Sequence, residues 1–318
     1  MIFAIRTYRH TGSTKVIGFI GMLCFMFLGL TSVHGQQAFS YTQYMNDLTP
    51  INPASTLFDG DGGFNLLARK QWAGIAGAPT TLFFDGNLPI KTTNGTAGFV
   101  FENNKFGPEN LTELSGFYAQ SVRLGWEQYL ALSLNVGLRS YTANYTQLDP
   151  TDKALGPDIN QSKPNLGFSV LYYSKTAYVG LSVPELTIRN LGKASVTNNN
   201  YFRNNYFLTA GITQELSEGI KIKPALLVSY TRGLPLITDI SAMASFNDVF
   251  GVGLNYRTNN EAALIVSTDF LLFHVGYSYQ FGVSGTTIGG FTNTTQEITI
   301  GYRLSHKRFN IDRVKRVF

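Results

Sequence analysis

Cysteine is nearly absent from this chain. The single one, Cys24, sits inside an apolar run near the N-terminus, behind Met22-Leu23 where a lipid-attachment signal would carry small residues. Disulfides and thiolate chemistry are therefore excluded for everything that follows that run. Charge is scarce as well: 14% of the residues are Asp, Glu, Lys or Arg, against about a quarter in soluble domains. A run apolar and long enough for a spanning helix is also missing. Val16 to Leu30 gives 15 residues, short of the ~20 that a bilayer requires. Preceded by Arg6, Arg9 and Lys15 and followed by Val33-His34-Gly35, it fits a secretory signal peptide over residues 1–35, with cleavage before Gln36. Without those three cations, 22 basic residues face 20 acidic ones. That balance, with no lysine-rich face, excludes the electrostatic footprint of a nucleic-acid binder.

Aromatic residues (14%) and glycine (32 residues) are plentiful instead, and from Phe64 onward the chain alternates with a period of two. Leu130, Leu132, Leu134, Val136 and Leu138 share one face, opposite Ala131, Ser133, Asn135 and Gly137. The pattern recurs over Ile220 to Thr231, Phe250 to Arg257 and Ile298 to Ser305. Apolar residues on one face and small or polar ones on the other imply strands between lipid and a water-filled or polar-lined interior. Fourteen such strands are expected, centred near Leu67, Phe83, Phe99, Phe117, Leu134, Val170, Val179, Thr209, Leu226, Ala242, Gly253, Ile265, Val275 and Ile300. Each would be roughly ten residues long, enough for a tilted crossing. Short connections (Gly125 to Gln128, Ser174-Lys175, Leu216 to Gly219, Asn247-Asp248, Asp269-Phe270) alternate with long polar ones (Ala143 to Ser162, Glu185 to Arg203, Gly282 to Thr292). This alternation predicts an all-β transmembrane antiparallel barrel in the outer membrane, in contact with its lipids, with both termini periplasmic. Tyr141, Tyr145, Tyr172, Tyr173, Tyr206, Tyr256 and Tyr302 are expected at an interfacial girdle. A soluble sandwich shares the period, but it would carry its charges on the alternate face.

Signals for catalysis or cofactors are weak. His274 and His306 are the only histidines after the leader. A lumenal His274 with Ser267 or Ser278 would be the sole arrangement resembling an embedded lipase, and no motif supports it. Asp59-Gly60-Asp61-Gly62-Gly63 lacks calcium-loop spacing and reads as a turn. Gly251-Val252-Gly253 lacks the third glycine and the helix of a dinucleotide site. No enzyme, metal or cofactor is expected. Asn94-Gly95-Thr96 and Asn144-Tyr145-Thr146 match a glycosylation pattern that carries little meaning behind a bacterial leader.

Three blocks of residues are distinctive: Gln43-Tyr44-Met45-Asn46, Ile51-Asn52-Pro53-Ala54, and Arg69-Lys70-Gln71-Trp72-Ala73-Gly74-Ile75-Ala76-Gly77-Ala78-Pro79-Thr80-Thr81. Together with the last strand, Gln296-Glu297-Ile298-Thr299-Ile300-Gly301-Tyr302-Arg303, they resemble the PorP/SprF family. The departures are Gln296 for a histidine, Thr42 for a serine, and a basic tail after the final strand. The resemblance implies an outer-membrane component of the type IX secretion system of the Bacteroidota, associated with gliding motility. It also implies partners, namely a secreted adhesin with a C-terminal sorting domain and other secretion components. Carried onto this chain, it points to Arg69, Gln71, Trp72, Gly74, Gly77 and Pro79 as partner-binding residues. Structural roles compete: Trp72 as an interfacial anchor and Arg69 as a lumen residue. The expected organisation is a signal peptide (1–35), a periplasmic or plug segment (36–62), a barrel (63–305) and a basic tail (306–318). The alternative function is a porin or solute-uptake channel.

Overall fold

A computed structural model describes residues 41–58, 60–90, 92–148, 157–187, 202–283 and 294–304. The expected signal peptide, Asp59, His306, the basic tail and much of the three long polar connections lie outside these residues.

The strands are β1 (Gly63–Gln71), β2 (Thr80–Ile90), β3 (Gly95–Phe106), β4 (Glu109–Gly125) and β5 (Gln128–Ala143). They continue as β6 (Ile159–Ser174), β7 (Ala177–Thr187), β8 (Asn205–Ile212), β9 (Gln214–Ser217) and β10 (Ile220–Thr231). The last five are β11 (Ile237–Phe246), β12 (Phe250–Arg257), β13 (Glu261–Phe270), β14 (Phe273–Gly282) and β15 (Thr295–Arg303). β8 and β9 both pair with β10 and form one stave broken at Thr213, whose N–H bonds the Thr176 carbonyl at 2.7 Å. Neighbours in sequence are antiparallel neighbours in space, and β1 pairs β15, so the sheet closes as a barrel of 14 staves. Closure leaves no open edge around the wall, which is the condition for a sheet to stand in hydrocarbon.

All fourteen expected strand centres fall within these staves. The alternation also holds. Leu134, Val136, Leu254 and Ile300 are exposed on the outside, while Asn135, Ser133, Asn255 and Thr299 are buried inside. Two expectations are corrected. β4, β5 and β6 run to 17, 16 and 16 residues rather than ten. Of the tyrosines assigned to a girdle, Tyr141 and Tyr173 face inward, because they share the parity of buried Arg139 and Leu171.

The interior is polar-lined, and among the described residues it is also occupied by the chain itself. Residues 41–58 pass through it as two 3-10 turns, Thr42–Met45 and Pro53–Leu57. The second starts where the Asn52 side chain accepts from the Ala54 N–H and Pro53 takes a position that needs no donor. Tyr41, Tyr44 and Ile51 pack against Leu67, Phe83, Phe207 and Leu227, four apolar residues that β1, β2, β8 and β10 aim inward. Lower in the barrel Ala54, Leu57 and Phe58 pack against Tyr129, Ala131, Leu171 and Tyr173. The wall is notched to fit: a Cβ at Gly180 would lie 2.7 Å from Asn52 Nδ2, and one at Gly276 would collide with Gln43 Oε1.

Candidate functional site

Short connections collect at one end of the barrel, and every long one lies at the other. At one end, six turns of two to four residues join β2–β3, β4–β5, β6–β7, β9–β10, β11–β12 and β13–β14. Asn247 and Asp248 both take positive φ there, as a tight hairpin turn requires. At the other end lie the connection 72–79, the five-residue link 232–236 and all the longer polar segments, together with two short links, Gly107-Pro108 and 258–260.

This loop end is tied together by main-chain bonds. After β1, Trp72 and Gly74 turn left-handed, and two successive turns are closed by Ile75 N–H to Trp72 O (3.1 Å) and Ala78 N–H to Ile75 O (3.3 Å). Gly77, at φ +74, accepts from the Gly107 N–H at 3.0 Å. Pro108 in turn accepts from Asn144 N–H (3.1 Å), and Ala73 N–H reaches Thr294 O (3.4 Å). The base of the next loop is pinned where Asp158 accepts from the Thr146 N–H (3.0 Å) and hydroxyl (2.7 Å), bonds that hold its carboxyl below the usual aspartate range. Of the six motif residues, Gln71, Trp72 and Pro79 are half-buried and Gly74 and Gly77 exposed, all within this first connection or its flanks. Arg69 is elsewhere. It points into the lumen, 6% exposed, with Nε 3.1 Å from Glu297.

Glu297 is the centre of a second arrangement. Its carboxylate accepts from the N–H groups of Thr42 (2.9 Å to each oxygen) and Gln43 (3.2 Å) and from Ser278 Oγ (3.2 Å). Gln43 Nε2 donates back to the Glu297 carbonyl at 3.2 Å, and Thr42 Oγ1 to Gln280 Oε1 at 3.0 Å. Next to it Arg257 pairs with Asp239 (2.8 Å) and Glu261 (3.4 Å). Each of the four residue blocks singled out in the sequence thus sends a residue into the lumen: Gln43 is held there by Glu297, which Arg69 pairs, and Asn52 bonds the Val170 carbonyl on another part of the wall. Sequence reasoning located the blocks and left the N-terminal segment open between a periplasmic stretch and a plug, and Arg69 between a lumen and a partner role, because period-two patterning reports only which face a residue takes, not what occupies the space before it.

On the opposite wall Arg139 pairs with Glu113 (3.1 Å) and Glu185 (3.0 Å) beneath the Phe202 ring. Glu102 completes a trio whose carboxylate oxygens lie within 4.8 Å of one another. Among the described residues this is the trio that could hold a cation, and Arg139 already brings a positive charge to two of its members. His274 Nδ1 lies 3.3 Å from Asp269, which also pairs with Arg303 at 2.9 Å. Its Nε2 has no hydrogen-bond partner among the described residues. Ser278 is turned to Glu297 instead, so the lipase-like arrangement is not assembled with it.

The sequence profile of the type IX secretion system membrane protein PorP/SprF matches residues 33–302. The chain belongs to the PorP/SprF family. No curated protein matches it. Among solved structures it resembles a deltaS2 mutant of the TodX monoaromatic hydrocarbon channel, at 9% identity and a TM-score of 0.51, covering 82% of this chain and 94% of that one. The Pseudomonas putida toluene transporter TodX (11%, TM-score 0.44, 85% and 95% covered) and Acinetobacter baumannii Omp33 (7%, 0.42, 77% and 99%) are also similar. At such identities the likeness concerns the fold alone: an outer-membrane β-barrel, in a family of secretion-system membrane proteins.

Proposed function

We propose that this member of the PorP/SprF family supports export or surface attachment of one cognate large adhesin, bearing a C-terminal sorting domain, in concert with other type IX components and in the service of gliding or adhesion. The observation that carries the reading is the occupied lumen. A solute channel needs a continuous aqueous path, whereas here Tyr41, Tyr44, Ile51 and their neighbours are packed across the interior. A partner is then left with the rims and the wall. The loop end, taken as the cell-surface end, offers a platform held by main-chain bonds on a rigid barrel, the usual place for binding residues. Gln71, Trp72, Gly74, Gly77 and Pro79 lie in or beside its first connection, and Arg69 acts from below by fixing β15 through Glu297.

Two assays on a deletion strain test this reading: detection of the adhesin on intact cells, and uptake of small sugars or antibiotics. Lost display with unchanged uptake is expected. Normal display with reduced uptake would overturn it in favour of a channel.

A further inference from the structure

One row of the outer wall differs from its surroundings. By register Gln296 pairs Lys70, Lys70 pairs Thr80, and Thr80 pairs Lys105, on the adjacent strands β15, β1, β2 and β3. All four side chains are exposed and stand on the lipid-facing side, since their chain neighbours Glu297, Arg69 and Thr81 are buried in the lumen. Two residues nearer mid-barrel on the same face come Ile298, Ala68 and Leu82, where the apolar band begins on β15, β1 and β2, and polar Asn103 on β3, where it begins one step further in at Phe101. A step of two residues is about 7 Å along a strand, so Lys70 and Thr80 stand one such step beyond the apolar band at the loop end and Lys105 two, with Asn103 between. The two lysine Cα atoms are about 10 Å apart, one on either side of β2. Their stems can lie along apolar surface while both ammonium groups reach one anion between them, with the Thr80 hydroxyl as a third donor. None of the four residues is acidic, so the row carries only positive charge.

We propose that Lys70, Thr80 and Lys105 form a binding site on the outer wall for the phosphate of lipid A in the outer leaflet. Phosphate suits the site because it is a compact anion that accepts from several donors at once. The outer-leaflet source follows from taking the loop end as the cell-surface end, so this inference rests on the orientation given above. With such a lipid held at β1–β3, the first connection would be anchored from the membrane side directly beneath Gly74 and Gly77.

The test uses the full mature barrel extracted from outer membranes in mild detergent, with retained lipid measured by native mass spectrometry. Lys70→Gln and Lys105→Gln should each lower retained lipopolysaccharide about fivefold, the effect of one lysine near an anionic surface, and the double variant should lose it. Arg123→Gln, at the turn end, should retain the wild-type level. Heat-modifiable migration in gels certifies that each variant is folded. Unchanged lipopolysaccharide in a folded double variant would overturn the site, as would selective loss of a phospholipid instead. An epitope inserted at Gly233, in the β10–β11 connection at the loop end, separates the two readings: accessible on intact cells, it leaves the orientation standing whatever the lipid result. Protected, it removes the orientation and the site together.

Discussion

At the scale of single residues, Glu297 ties the interior segment to the barrel wall. It is 1% exposed, is paired with Arg69, and accepts from two backbone N–H groups and a serine hydroxyl. Replacing it by alanine leaves Arg69 buried without its partner and two N–H groups of the interior segment unsatisfied. Loss of one member of a buried pair costs about 3–5 kcal/mol. Glu297→Ala should therefore lower the temperature at which the folded gel band converts to the unfolded one, and Glu297→Gln should recover part of that loss by keeping the acceptor. A wild-type transition in the alanine variant would show that the segment is held by packing alone. Gly276 gives a steric counterpart: Gly276→Leu should displace Gln43 without touching any charge, exposing residues 41–58 to added protease in detergent.

At the scale of elements, the strands were legible because a lipid-facing wall imposes one rule at every second position. All fourteen centres and the inside–outside phase could be seen in the alternation of residues such as Leu134 and Asn135. Strand length could not, since the polar ends Asn160 to Lys163 of β6 look like loop until their pairing with Arg139 to Thr142 is known. The phase has a depth-dependent consequence. Leu134→Arg, outward at the middle of β5, should cost about 2–4 kcal/mol, and Thr142→Arg, outward at its end, about 0–1 kcal/mol. Folding titrations of the two variants into lipid vesicles measure the difference, and equal penalties would contradict the assigned position of the apolar band. An arginine at Ser133 is no harmless control, although it faces inward. Ser133 is 6% exposed and lies 2.5 Å from Ser169, which in turn touches the Ala54 N–H, so that space is already taken.

For the whole molecule, the interior segment takes up space that an aqueous path would need. Fourteen staves enclose more volume than their own side chains fill, and residues 41–58 supply the remainder. The intact protein should therefore be electrically silent in planar bilayers, and a variant lacking residues 41–58 should either conduct ions or fail to fold. Silence in a folded, heat-modifiable deletion variant would show that the wall residues close the path unaided. The sequence by itself determined the membrane class, the number of strands and which face of each meets lipid, because all three follow from transfer of side chains out of water along a regular repeat. Its distinctive blocks also marked the family. Only the tertiary structure decided what those blocks do inside the barrel. The bonds from Thr42 and Gln43 to Glu297 span more than 250 positions of chain, and a pairing of that range leaves no local period. It exists only once the sheet has closed and brought β15 beside β1, with the N-terminal segment enclosed between the walls.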